Sequence, residues 1–104
     1  SMMSKRMFEI LRRWTPLVEE ASIDEGFADL TGMRRFHGCS YEQMGRDLQR
    51  TIHAELGLTV SVGISLSKGL AKLCSKYRKP NGFTAVPGRY LHLFLQRHKL
   101  DDVW

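Results

Sequence analysis

Residues 59–65, Thr-Val-Ser-Val-Gly-Ile-Ser, constrain the fold more than any other stretch of the chain. Val60, Val62 and Ile64 alternate with small or polar residues, the period of a β-strand with one buried face. Gly63 carries no side chain on the other face, so a second backbone can approach there. Both flanks are bounded. Upstream, Ser40 and Gln43 form a capping box. Tyr41, Met44, Leu48, Ile52 and Leu56 then mark one face of a helix, which Gly57 stops in the left-handed conformation. Downstream, Ser65 or Ser67 caps another helix running to about Tyr77.

The remaining segments are placed around this strand. Met3, Met7, Ile10, Leu11 and Trp14 recur at helical spacing over residues 3–14, and Pro16 ends that helix. Residues 17–32 read as a β-hairpin-like pair, with Asp24 and Glu25 at or near its turn. Residues 33–39 read as a loop carrying Arg34, Arg35 and His37. Lys-Pro-Asn-Gly at 79–82 is turn chemistry, and Phe-Thr-Ala-Val after it is a short strand. Beyond Pro87-Gly88, residues Tyr90, Leu91, Leu93, Phe94 and Leu95 suggest a last helix. The order α-β-β-α-β-α-β-α predicts an α+β fold, with a mostly antiparallel sheet and helices on one face.

Size and composition agree with a single globular unit. The sequence has 104 residues, 42% hydrophobic and 26% charged, room for one domain and no sign of wholesale disorder. No apolar run approaches the length of a bilayer span, and the signal-peptide layout is absent from the first residues. Cys39 and Cys74 stand apart without a CxxC pair, which reads as two reduced thiols in a cytoplasmic protein.

The charge pattern points to a polyanion. Lys plus Arg is 16 against 11 for Asp plus Glu, a formal +5, which suits nucleic acid or a nucleotide. Lys68, Lys72 and Lys76 recur every four residues and share one stripe of their helix. Arg78 and Lys79 extend the stripe, and the helix carries no acid to pair with them. Leu70, Leu73 and Tyr77 lie elsewhere and are expected to pack against the sheet. A lysine face that merely meets solvent is the plain alternative. Asp24 and Glu25 repel each other at their turn, and a divalent cation such as magnesium would relieve that. An exposed acidic turn is the plain alternative there. The four histidines form no ligand pattern, and no phosphate-binding GxxxxGK motif occurs.

Three segments taken together resemble the Y-family, or translesion, DNA polymerases of the bacterial DNA polymerase IV type. They are Ser-Ile-Asp-Glu-Gly-Phe-Ala-Asp-Leu-Thr-Gly at 22–32, Gly57 to Lys72, and Lys-Pro-Asn-Gly-Phe-Thr-Ala-Val at 79–86. The resemblance implies a ferredoxin-like palm. It implies that Asp24 and Glu25 bind two magnesium ions for nucleotidyl transfer, with Lys79 on the incoming triphosphate. Lys68, Lys72, Lys76 and Arg78 are the candidates for DNA phosphate. Primer–template DNA and a deoxynucleoside triphosphate are the implied partners. Gly26 and Ser67 depart from the family's usual Ala and Asn.

The family's first palm strand with its metal-binding Asp, its fingers, thumb and little finger find no counterpart. The opening Ser-Met-Met at residues 1–3 reads as a tag remnant, and the missing segments make residues 4–104 read as a partial palm, inactive alone. In the family that first strand lies between the hairpin and the Thr-Val-Ser-Val-Gly-Ile-Ser strand. Its absence leads to the expectation of a homodimer or strand exchange. Two other readings stand beside this one. A diguanylate-cyclase-like enzyme also pairs turn carboxylates with such a strand, and a palm-like fold can serve as a non-catalytic interaction module.

Overall fold

The computed structural model describes residues 2–78 and 81–96. In chain order the elements are α1 (Met2–Leu11), β1 (Val18–Ser22), β2 (Glu25–Asp29), α2 (Met33–His37), α3 (Tyr41–Leu56), β3 (Val60–Ser65), α4 (Lys68–Tyr77), β4 (Phe83–Ala85) and β5 (Tyr90–Leu95). The five strands form one sheet in the order β1-β2-β5-β3-β4. Every neighbouring pair is antiparallel except β3 and β4. A parallel pair needs a crossover, and α4 supplies it. The α+β class and the predominantly antiparallel sheet are as expected.

The terminators act where the sequence places them. Ser40 Oγ accepts from the Gln43 amide at 3.1 Å and starts α3. The Gln43 side chain does not return the bond as in a full capping box; it donates to Asp47 at 2.9 Å. Gly57 closes α3 at φ 67°. Ser67, not Ser65, caps α4 by accepting from the Leu70 amide at 3.2 Å. The segment expected as a loop at 33–39 instead winds into the short helix α2, between Gly32 and Gly38 at positive φ.

The helices lie on both faces of the sheet, not on one. Val60, Val62 and Ile64 of β3 and Leu91, Leu93 and Leu95 of β5 join Met7, Phe8, Ile10 and Leu11 of α1 and Met44, Leu48 and Ile52 of α3 in one core. The opposite face of β3 meets α4, and all six residues of β3 are therefore buried. A Cβ on Gly63 would run into the backbone of Ala71 and Ser75, so the missing side chain is what seats α4.

This seating corrects the expected orientation of α4. Its packed face is made of the small residues Ala71 and Ser75, because only small side chains allow so close an approach. Leu70, Leu73 and Tyr77 are exposed.

The second correction concerns residues 90–95. They are not a helix but the central strand of the sheet. Tyr90 to Leu95 pair with β3 on one side and, from Tyr90 to Phe94, with Asp29 to Glu25 of β2 on the other. The position expected to stand open between the hairpin and β3 is therefore filled. Neither direct pairing of β2 with β3 nor strand exchange is needed to close the sheet.

Two glycine substitutions are predicted to act in opposite directions. Gly63→Ala should lower stability by about 1–3 kcal/mol, because backbone rather than a flexible side chain blocks the new methyl. Gly69→Ala, where nothing lies within reach of the added Cβ, should raise stability by up to about 1 kcal/mol through helix propensity. Urea unfolding of both variants checks this, and a neutral Gly63→Ala would remove the close α4 contact as a determinant of the fold.

Candidate functional site

The β1–β2 hairpin is the reason that Asp24 and Glu25 sit together at one end of the sheet. Ser22 pairs with Glu25 across a register shift, and Ile23 and Asp24 form the turn. Ser22 Oγ donates to Asp24 Oδ1 at 2.9 Å. The Asp24 carbonyl accepts from the Leu95 amide at 2.8 Å, which ties the turn to the end of β5.

Glu25 is neither an exposed acid nor without basic partners. Lys72 Nζ and His92 Nε2 each lie 2.8 Å from the same oxygen, Glu25 Oε1. Lys72 reaches it from α4 and His92 from β5. His92 is 1% exposed, and its ring packs 4.7 Å from that of Phe27. Its Nδ1 lies 2.5 Å from Ser75 Oγ.

Donor and acceptor roles follow from these distances. A carboxylate only accepts, so Nε2 carries the proton toward Glu25. Burial holds the imidazole below its ordinary pKa, against the pull of Glu25, and Lys72 and Lys76 push the same way as burial. The ring is thus neutral, and its Nδ1 is an acceptor facing Ser75 Oγ, whose one proton is shared between Nδ1 and the Lys72 carbonyl 2.8 Å away. The Lys72 hydrogen bond, with help from His92, holds the Glu25 carboxyl below the usual range in spite of partial burial. The Ser75–His92–Glu25 chain has the connectivity of a nucleophilic relay. Ser75 is 1% exposed between α4 and the sheet, out of reach of any substrate, so its role is structural.

The other site candidates divide. Lys68 pairs with Glu19, and its ammonium lies 5.4 Å from the centre of the Phe27 ring. Lys68 and Lys72 thus balance carboxylates on the neighbouring hairpin. Lys76 and Arg78 have no carboxylate partner among the described residues, and Arg78 lies 5.6 Å from the centre of the Tyr77 ring. Lys79 lies outside the described residues. The turn next to it is held by Gln49 Nε2, which donates to the carbonyls of Val60 at 2.9 Å and Gly82 at 3.0 Å. His92, Ser75 and Gln49 were not identified from the sequence. The alternation of Leu91, Leu93 and Leu95 is the one signal that could have placed His92 on the opposite face.

As hard oxygen donors, Asp24 and Glu25 suit magnesium. Among the described residues, no group of three or more His, Cys, Asp or Glu side chains could hold a metal. The Lys72 ammonium stands on Glu25 where a cation would.

Stability is predicted to fall on acidification. His92 in the folded chain sits below its free value of 6.5, so protons bind preferentially to the unfolded state as the pH drops through that value. Glu25 sits below 4.5; its contribution is present above that value and is lost as pH falls through its lower folded value. Melting temperatures at pH 8, 6 and 5 should decrease in that order, and His92→Gln should flatten the upper part of the decline. A wild-type midpoint unchanged from pH 8 to 5 would contradict a neutral, buried His92.

Comparison with known proteins agrees with the motifs. Residues 1–76 match the model of the impB/mucB/samB family. The DNA polymerase IV of Caulobacter vibrioides is 46% identical over 92 residues, covering 88% of this chain and 23% of the relative. That of Desulfatibacillum aliphaticivorans is 40% identical over 101 residues, covering 97% of this chain and 25% of the relative. That of Clostridium kluyveri is 46% identical over 83 residues, covering 80% of this chain and 20% of the relative. No significant match was found among solved structures. The chain spans about a quarter of the length of the curated relatives it matches. The matched residues contain the hairpin carboxylates, the strand β3 and the helix α4 described above, and the chain belongs to the impB/mucB/samB family of Y-family DNA polymerases.

Proposed function

We propose that the chain is the palm portion of a cytoplasmic lesion-bypass DNA polymerase of the DNA polymerase IV type. Its substrates would be primer–template DNA and a deoxynucleoside triphosphate. The observation that carries this reading is the adjacent pair Asp24 and Glu25 on the hairpin, inside a segment 46% identical to a DNA polymerase IV. Asp24 and Glu25 would hold the magnesium ions. When bound, such ions activate a primer 3′-hydroxyl and balance the charge of the triphosphate. Lys79 would meet the triphosphate as a point charge. The cyclase reading lacks support, because the three relatives compared are all DNA polymerases.

The chain's own residues set the conditions for metal entry. Lys72 and His92 hold Glu25 in one orientation, and Lys72 neutralises it. The Lys72 ammonium on Glu25 Oε1 would compete with a magnesium ion there, and such an ion gives up its water reluctantly. Lys72→Met should therefore tighten Mn²⁺ binding several-fold, read by electron paramagnetic resonance. Unchanged affinity would remove Lys72 as the competitor.

Two activity measurements test the assignment. The chain alone should not extend a primed template, since it spans about a quarter of the length of the DNA polymerase IV relatives it matches. Replacing the corresponding segment of the Caulobacter vibrioides DNA polymerase IV with this chain's matched 92 residues should give a chimera that extends primers. Asp24→Ala and Glu25→Ala should each abolish that extension. A chimera that folds and binds DNA but does not extend would overturn the polymerase reading in favour of a non-catalytic interaction module.

A further inference from the structure

The face of α4 turned away from the sheet is apolar. Leu70, Leu73 and Tyr77 follow one another three and four residues apart within α4. At about 100° per residue they fall on one line, opposite Ala71 and Ser75. They are 46%, 67% and 72% exposed, and Leu66, just before the Ser67 cap, is 69% exposed. The line spans about 10 Å of helix at 1.5 Å per residue. Aligned large apolar residues at this spacing form the seam that a second helix packs against.

The charges beside the seam select the partner. Lys76 projects on one flank and Arg78 on the other, and neither meets a carboxylate among the described residues. The helix has no acidic residue of its own. Two copies of α4 laid against each other would bring these cations together, so the seam is poorly matched to itself. A lipid surface favours a broad apolar face, and here the seam is a single line of side chains with the rest of the helix packed on the sheet.

We propose that the outer face of α4 docks an amphipathic helix of acidic character, with Leu70, Leu73 and Tyr77 as the contact line and Lys76 and Arg78 pairing with carboxylates on its two edges. This surface is on the opposite side of α4 from Glu25 and does not depend on the polymerase reading.

The test uses two labelled synthetic peptides of about four helical turns. Both carry Leu at the a and d heptad positions. One has Glu and the other Lys at the e and g positions. Fluorescence anisotropy should show the Glu peptide binding to the chain at least 10-fold more tightly than the Lys peptide, with binding weakened by salt. Leu73→Asp should reduce binding at least 10-fold without changing the melting temperature, because Leu73 is exposed. Lys76→Glu combined with Arg78→Glu should invert the preference between the peptides. This second variant keeps the test decisive should Leu73→Asp disturb folding.

Equal binding of the two peptides, or no binding of either, would overturn the proposal. A dimer in sedimentation that Leu73→Asp dissolves would assign the seam to a second copy. Binding to anionic phosphatidylglycerol vesicles in place of the peptide would assign it to a lipid surface. Duplex DNA binding, lost in the double charge variant and unaccompanied by peptide binding, would assign the cations to phosphate.

Discussion

The two ladders of β5 hold the molecule together. On one side are β1 and β2, a hairpin that pairs with nothing else in the sheet; on the other are β3 and β4. An isolated hairpin is at best marginally stable in water. β5 converts the two pieces into a single five-stranded sheet by pairing with β2 and β3 at once. The Leu30 amide donates to the Arg89 carbonyl, and the Gln96 amide to the Thr59 carbonyl, which extend the pairing beyond both ends of the strand. Leu91, Leu93 and Leu95 then complete the core shared with α1 and α3.

The same strand sets the electrostatics of the hairpin turn. β5 alternates, so the residue between Leu91 and Leu93 must face α4. That residue is His92, and it is buried against Ser75 and Phe27 with Glu25 beside it. A buried imidazole needs partners for both nitrogens, since leaving either unpaired carries the full desolvation cost. Ser75 and Glu25 supply them. Glu25 is in turn held by Lys72, so three elements, β2, β5 and α4, are joined through one carboxylate oxygen. This explains why Asp24 and Glu25, neighbours in sequence, have different surroundings. Asp24 is on the turn and meets Ser22, whereas Glu25 is the first residue of a strand and faces the interior of the β2–β5–α4 layer.

Much of the fold was legible because its signals are local. A serine with a free amide three residues on, a glycine after a helical stripe, and an alternating run between them each work within a few residues. The hairpin, α1, α3, β3 and the bounds of α4 were readable on that basis. Residues 90–95 were not. Tyr90, Leu91, Leu93, Phe94 and Leu95 contain an alternating set and a helix-like cluster together, and such a short apolar run is settled by its neighbours in space. β2 and β3 present unpaired edges on either side of it, and a strand satisfies both. The site was legible to the extent of Asp24 and Glu25. The partners of Glu25 come from residues 47 and 67 positions further along the chain, and nothing in the spacing of the histidines pointed to them.

The orientation of α4 shows how one glycine outranks the size of the side chains around it. By hydrophobicity alone, Leu70, Leu73 and Tyr77 make the better packing face, and the two leucines would each gain about 2–3 kcal/mol from full burial. They would also hold the helix axis away from the sheet at the distance that large side chains require. Gly63 removes the obstacle on β3, and Ala71 and Ser75 let the backbones come close enough to seat α4 there. In that position Ser75 reaches His92, and Lys72 reaches Glu25. Turning the helix to bury its leucines would break both contacts. It would leave an imidazole nitrogen and a partly buried carboxylate without their partners, each costing about 1–3 kcal/mol or more. The polar contacts beneath α4 and the bare strip of Gly63 therefore act in the same direction. The exposed leucine seam is the consequence of that choice.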